Sequence, residues 1–243
     1  MGFTGYLKTM GRLPALAPLR AVWAYRHGWM REAWRIRREQ PDNLFQPNSF
    51  TAMNRYPRCF AFVFDALGEL PALNLLSFGC ATGEEVFTLA RYFPRAHIKG
   101  IDINARSIAT ATRNTPPALA HRISFEVACS AHAEPAGSYH AVFAFAVFRD
   151  DALTGKPPKC DHVLRFADFD REISNLARCL RPGGLLFLRH SHFRFSDATV
   201  AGNFETALAL DIDISAGTKA LYDADNRLVR NDAATADVAW RKR

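Results

Sequence analysis

Residues 73–90 read LNLLSFGCATGEEVFTLA. The apolar run at 73–78, a glycine-bounded turn at 79–83 and apolar residues at helical spacing after it predict a buried strand, a tight loop and a helix. A second strand, HIKGIDIN at 97–104, follows roughly 20 residues past the loop and carries the acid Asp102 at its end. A strand feeding a glycine loop and a helix N-terminus makes a nucleotide-sized cradle, and an acid ending the next strand is placed to hold a ribose diol. The glycine spacing separates the candidate ligands. Dinucleotide folds use G-x-G-x-x-G, which seats a pyrophosphate on the helix N-terminus. Here the loop is G-C-A-T-G, with Glu84 and Glu85 directly after it. Two carboxylates there repel a diphosphate and suit a ligand that carries an ammonium or sulfonium.

The chain around this segment alternates strand and helix. Helices are expected at about 56–70, 83–92, 105–113 and 166–180, and strands at 73–78, 97–103, from Ile123 (ISFEVACS), from Tyr139 (YHAVFAFAVF) and at 185–189. Strands three and four are rich in β-branched or aromatic residues, as strands buried on two faces tend to be. The order predicts an α/β, Rossmann-like, doubly wound and mostly parallel sheet with helices on both faces. Residues 221–230, LYDADNRLVR, read as a hairpin turning at 224–226 that would supply an antiparallel C-terminal edge pair. At 243 residues, 49% hydrophobic and 23% charged, the chain belongs with globular rather than disordered proteins. No apolar run approaches the roughly 20 residues of a membrane span, and the N-terminus lacks a secretory h-region. Five scattered cysteines without metal-type spacing imply reduced thiols, no metal site and a cytoplasmic setting.

Charge is unevenly spread. Residues 1–40 carry eight Lys/Arg against Glu32 and Glu39, six of the chain's net +7, together with three of its four tryptophans. At about 100° per residue, Arg20, His27, Arg31, Arg35 and Arg38 share a helix face, with Val22, Tyr25, Trp29, Ala33 and Ile36 broadly opposite. Residues 1–45 are therefore expected to form a basic amphipathic helical arm, and 46–243 the catalytic domain. Such an arm could contact an anionic membrane surface, which would place the protein peripherally on the inner face of a membrane. Nucleic acid is the less favoured partner. The competing structural reading packs the aromatics on the domain and leaves the arginines solvated.

Taken together, the loop, its two glutamates and Asp102 read as an S-adenosylmethionine site. The chain resembles class I S-adenosylmethionine-dependent methyltransferases, and more narrowly the catalytic domain of the CheR-type (chemotaxis receptor) enzymes. SFGCATGEEVFTLA from Ser77 is similar to that family's cofactor loop, and Asp102-Ile103-Asn104 to its acid motif. Leu180 to His192 follows its late L-K-P-G-G motif, and Ser49, Thr51, Arg55, Pro57 and Phe60 fall on its N-x-T-x-x-x-R-x-P-x-x-F spacing. The resemblance implies cofactor contacts from Thr51, Arg55, Gly79, Cys80, Ala81, Thr82, Gly83, Glu84, Asp102, Ile103, Ala128, Cys129 and Phe145. Arg55 would grip the cofactor carboxylate, Asp102 the ribose, and Ala128 and Cys129 would flank the adenine. The competing structural roles are turn glycines, a capping Asp102, helix-dipole glutamates and small buried cysteines.

The implied chemistry is direct displacement at the sulfonium methyl, in which positioning and desolvation do most of the work. His190 and His192, at the exit of strand five, are candidate general bases for an acceptor that needs deprotonation. The family's Arg-Asn pair on strand four is replaced here by Phe145 and Ala146, and its receptor-docking insertion by the short NTPPALAHR at 114–122. An apolar strand four favours a small or lipid-like acceptor. The alternatives are a methyltransferase acting on protein carboxylates or RNA, and a non-catalytic S-adenosylmethionine-binding protein.

Overall fold

The computed structural model describes residues 28–68, 70–210, 220–229 and 237–243. The chain divides into two compact units, Met1–Pro41 and Asp42–Arg243. In the first, helix α1 (Gly28–Glu39) buries Ala33 and Ile36 and exposes Arg31, Arg35 and Arg38. Arg35 pairs with Glu32 at 2.5 Å and Glu39 at 2.9 Å, and Trp34 is 64% exposed. Arg20, Val22, Tyr25 and His27 of the expected amphipathic face lie outside the described residues, as does the side chain of Trp29.

The second unit runs α2 (Pro57–Leu67), β1 (Asn74–Phe78), α3 (Glu84–Tyr92), β2 (His97–Asp102), α4 (Ala105–Arg113), β3 (Ile123–Val127), β4 (Tyr139–Phe145), α5 (Phe166–Cys179), β5 (Leu180–Arg189), β6 (Phe204–Ala209) and β7 (Asp237–Lys242). These strands form one sheet in the order β3-β2-β1-β4-β5-β7-β6. The first five are parallel, while β7 runs antiparallel to both β5 and β6. The class read from the sequence is therefore the class observed.

Alternate strand residues build two cores. Leu76, Val142, Leu186 and Leu188 meet Phe169, Ile173 and Leu176 of α5 on one face. Leu75, Phe143, Phe145 and Phe187 meet Cys59, Phe60 and Val63 of α2 and Val86 and Leu89 of α3 on the other. β4 is buried at all seven positions, as the centre of a two-faced sheet requires. Chain order reverses between β1 and β4, so the ligand crevice lies outside the carboxyl ends of those strands.

Three expectations are corrected. β3 is an edge strand, and only Ile123 of its five residues is fully buried. The antiparallel edge is built by β6 and β7, not by residues 221–230. Those residues do turn, with Asn226 N donating to Asp223 O at 3.0 Å and Asn226 at φ 62°. The turn docks instead on residues 158–160 and on His192, through Leu228 N to Pro158 O and Tyr222 N to His192 O. Finally, the Arg181-Pro-Gly-Gly stretch lies inside β5 as an irregularity opposite β4 rather than before the strand.

Candidate cofactor and acceptor site

The turn between β1 and α3 holds three residues at positive φ, namely Gly79 at 74°, Ala81 at 48° and Gly83 at 95°. Gly79 N and Cys80 N both donate to Ile101 O, at 2.8 and 3.1 Å, which fastens the turn to the end of β2. The Cβ that each glycine lacks would strike protein: Val147 Cγ2 at 2.5 Å for Gly79, and Phe125, Ala111 and Phe87 at 2.9–3.1 Å for Gly83. Close helix–strand packing therefore requires these glycines independently of any ligand. Cys80 is buried, its thiol pushed up by desolvation, so it is a core side chain that can offer a ligand only its backbone.

Asp102 is the hinge of the cradle. Its Oδ2 accepts from Ala81 N and its Oδ1 from Asn104 N, both at 2.8 Å. The cap of α4 is Asn104, whose side chain accepts from Arg106 N and Ser107 N. The capping alternative for Asp102 is thus filled by another residue. Burial raises the Asp102 carboxyl, while its two N–H bonds pull it down. Each oxygen keeps a second lone pair, the acceptor pair that a ribose diol needs.

The two glutamates separate. Glu84 accepts from Thr82 Oγ1 at 2.7 Å within the turn. Glu85 turns toward the sheet, accepting from Ser77 Oγ at 2.7 Å, and desolvation pushes it up to about 7 against the Ser77 bond and the charge of Arg55. A desolvated carboxylate beside the turn fits a cationic ligand, and Asp102 fits its ribose. The donor set accordingly suits S-adenosylmethionine.

Among the described residues no carboxylate lies at hydrogen-bond distance from Arg55. Its guanidinium lies over the rings of Phe50 and Tyr56, 5.2 Å from each, and donates to Phe50 O at 3.2 Å. Thr51 is half-buried in the segment before α2, where Pro57 occupies the first helical turn. Ala128 N donates to Asp102 O at 3.1 Å, placing Ala128 and the partly exposed Cys129 beside the acid; Ile103 is half-buried between Asp102 and the Asn104 cap.

Residues 42–51, which carry no helix or strand, form a strap across this edge. Asn43 reaches the Cys129 thiol at 3.7 Å, Ser49 the Ser107 hydroxyl at 3.4 Å and Asn48 the Asp151 carboxylate at 2.8 Å, while Phe45 packs edge-on against Phe148. The signal was present in the apolar pair Leu44-Phe45, both buried, within an otherwise polar stretch.

The exits of β4 and β5 differ in character. Phe145 is buried in an aromatic cluster, 4.3 Å from the Tyr56 ring centroid and near Phe60, Phe143 and Phe187, so it is a floor to the site rather than an open ligand contact. Ala146 and His190, the next residues beyond the two strands, both sit at φ 58°. His190 lies 5.6 Å from the Tyr56 ring. His192 does not fit a catalytic base. It is buried, with Nδ1 2.7 Å from Ala220 O and Nε2 3.2 Å from Asp150 O, so the one N–H of the neutral ring donates to a backbone carbonyl and the other nitrogen is walled off by a second carbonyl. Sequence reasoning missed Tyr56, Arg149 and Arg189; the fold brings Arg189 over the Tyr56 ring and Arg149 within electrostatic reach of the Tyr56 hydroxyl.

Among the described residues no group of His, Cys, Asp or Glu could hold a metal, all five cysteines are free, and no helix is long and apolar enough to cross a membrane. A cleft of about 320 Å³, lined by Phe64, Leu70, Leu73, Tyr92 and Phe93, opens at the amino end of β1, away from this chemistry.

A family profile described as "Methyltransferase domain" matches residues 70–226, which span the turn, Asp102 and the exits of β4 and β5. The chain belongs to the methyltransferase-domain family. Its S-adenosylmethionine-dependent class I architecture is the sheet order just described. The trans-aconitate 2-methyltransferase of Deinococcus radiodurans is 32% identical over 146 residues, covering 58% of this chain and 48% of that protein. The chain thus spans about half the length of the curated relative it matches. Among solved structures, a Haemonchus contortus phosphoethanolamine N-methyltransferase 2 bound to phosphomonomethylethanolamine and S-adenosylhomocysteine aligns at 16% identity and TM-score 0.44, over 73% of this chain and 36% of that one. A Streptomyces coelicolor geranyl diphosphate C-methyltransferase aligns at 16% identity and TM-score 0.38, over 54% and 44%.

Proposed function

We propose that this methyltransferase-domain chain transfers a methyl group from S-adenosylmethionine to a small-molecule acceptor. The observation that carries the reading is the Asp102 bridge, which ties Ala81 in the turn to the end of β2 and retains a lone pair on each oxygen. The bound cofactor supplies an electrophilic methyl on a sulfonium. In this reading Asp102 holds the ribose, Glu85 faces the charged methionine end, and the strap at 42–50 excludes water beside Cys129. His190 lines the acceptor side and His192 braces it.

Small over macromolecular acceptors is supported by two features. If the resemblance to CheR-type enzymes at 49–60, 77–90 and 180–192 is followed, the segment that would dock a protein is reduced to a single 3₁₀ turn (Pro117–Leu119) between α4 and β3. The curated relative is also named for a small acceptor, trans-aconitate. The basic segment at 1–45 would add peripheral contact with an anionic membrane, read by cosedimentation with phosphatidylglycerol vesicles and its loss on deleting that segment.

Calorimetry with S-adenosylhomocysteine, followed by labelled-methyl transfer into a metabolite panel, tests the activity. Saturable binding and a labelled small product are expected. Absence of binding by the intact chain would end the reading, and label entering only protein or RNA would replace the acceptor class.

A further inference from the structure

The exits of β4 and β5 hold polar groups that the cofactor half does not use. Tyr56 Oη and Arg149 Nε are buried and have no hydrogen-bond partner among the described residues, and Tyr56 as a whole is 6% exposed. The Arg189 guanidinium lies 5.8 Å from the Tyr56 ring centroid. It touches that ring and the Cys59 thiol, and pairs with no carboxylate among the described residues. Arg149 spends one terminal nitrogen on Asp151 at 2.8 Å, which leaves its Nε–H unused.

These groups come from the cap of α2, the β4 exit and the end of β5. The Tyr56 hydroxyl feels the charges of Arg55, Arg149 and Arg189 together with that of Glu85. Arg55 offsets Glu85 and Asp151 offsets Arg149, so the positive charge left without a carboxylate among the described residues is that of Arg189. Buried donors without acceptors are rare in folded proteins, and each one asks what it meets. A neutral ligand could satisfy the phenol but would leave the guanidinium charge unanswered. A planar oxyanion answers both, because guanidinium N–H geometry matches a carboxylate. The left-handed backbone at Ala146 and His190 marks the same two exits, and such strain gathers at ligand sites.

We propose that Tyr56 Oη, Arg149 Nε and the Arg189 guanidinium form the subsite that recognises a carboxylate on the methyl acceptor. The assignment rests on the methyl-transfer reading only in naming this ligand as the acceptor. A carboxylate held by three donors has its lone pairs committed and is a weak nucleophile. It anchors the acceptor, and the methyl goes to another atom of the same molecule.

The test titrates succinate, tricarballylate, succinamide and inorganic phosphate into the full chain, with and without saturating S-adenosylhomocysteine. The acids are expected to bind about tenfold or more tightly than the amide. Arg189→Gln and Arg149→Gln should each weaken acid binding by roughly tenfold while S-adenosylhomocysteine affinity stays within about twofold. Tyr56→Phe keeps the ring on Phe145 and removes only the orphan hydroxyl. It should raise the melting temperature of the ligand-free chain yet weaken acid binding, two opposite shifts that a purely structural tyrosine would not give. Equal binding of acid and amide, tighter binding of phosphate, or acid binding untouched by all three substitutions would overturn the subsite. Loss of S-adenosylhomocysteine binding with acid binding intact would instead sink the methyl-transfer reading.

Discussion

The two halves of the carboxyl edge are built on different terms. Around β1 and β2 the polar groups answer one another within the protein: Asp102 to Ala81 N and Asn104 N, Glu85 to Ser77, Glu84 to Thr82. Around β4 and β5 they do not all do so, since Tyr56 Oη and Arg149 Nε have no hydrogen-bond partner among the described residues. A half whose polar groups are already satisfied is pre-organised for one invariant ligand and loses little on binding it. A half with donors left over is stabilised by what it binds, and its residues are free to vary with the acceptor. The contrast explains how one fold keeps a methyl donor while changing its substrate.

The sharpest break in the contrast should come at Asp102. Asp102→Ala removes two acceptors from the turn and, in the proposed reading, the ribose contact at once. S-adenosylhomocysteine affinity should fall by about 100-fold or more, since charged hydrogen bonds and their buried partners are lost together. Calorimetry reads this, and an unchanged affinity would leave Asp102 a turn tether alone. Asp102→Asn keeps the shape and still accepts through one oxygen, so its loss should be smaller.

Glu85 comes next and carries a pH signature. Its folded pKa lies near 7, above the ordinary 4.5, because burial disfavours the anion. The folded chain therefore holds this proton more tightly than the unfolded chain does. Unfolding free energy should fall as pH rises from about 4.5 to 7, a change on the order of 1–3 kcal/mol, since the side chain is half-buried and partly screened by solvent. Glu85→Gln should erase that slope and make the ligand-free protein more stable at pH 8. S-adenosylmethionine, a cation, should bind the wild-type chain more tightly as pH climbs through 7, and the Gln variant about tenfold more weakly with no such rise. Paired melting and titration series from pH 5 to 8.5 check both signs.

Legibility follows the same divide. The turn, Asp102 and the helix after it could be read from residues 73–104 because strand, turn and helix are local patterns, and each polar partner lies within about 25 residues. Residues 221–230 carried a true turn signal, but a turn does not say which neighbour it docks on; Pro158 and His192 decided that. The inner strand of the real antiparallel edge pair, β7, pairs with Leu185 to Phe187, a long-range choice with no local mark. The acceptor half was illegible for that reason. Tyr56, Arg149 and Arg189 are ordinary residues in sequence and become a group only once α2 crosses Phe145. His192 misled because a histidine at a strand exit looks like a base until two carbonyls are found against its ring.

That histidine offers a smaller test of the boundary between the halves. As a brace, His192→Gln should cost roughly 1–3 kcal/mol of stability, for one lost bond and a carbonyl left short. The shape of the kcat–pH profile should not change. Burial holds its pKa below the ordinary 6.5, so its contribution is present above that pH and lost as pH falls. A base would instead show a drop of about 10²–10⁴ in kcat with loss of the acid limb.

The smallest effect should come from Ala146, at φ 58° where β4 ends and directly after the Phe145 floor. Its N–H donates to Arg189 O at 2.8 Å, so the strained residue also fixes the β5 exit that carries Arg189 and His190. Glycine adopts this backbone without the Cβ clash but gains freedom in the unfolded chain, and the two terms nearly cancel. Ala146→Gly should change stability by no more than about 0.5–1 kcal/mol. If the strain serves to aim Arg189, the same substitution should weaken acid binding by about two- to fivefold through a looser exit, with S-adenosylhomocysteine affinity unchanged. Melting curves and the succinate titration read the two quantities separately. Acid binding that follows stability alone would make the φ a packing accident, whereas acid binding that falls at constant stability would make it part of how the acceptor half is held open for its ligand.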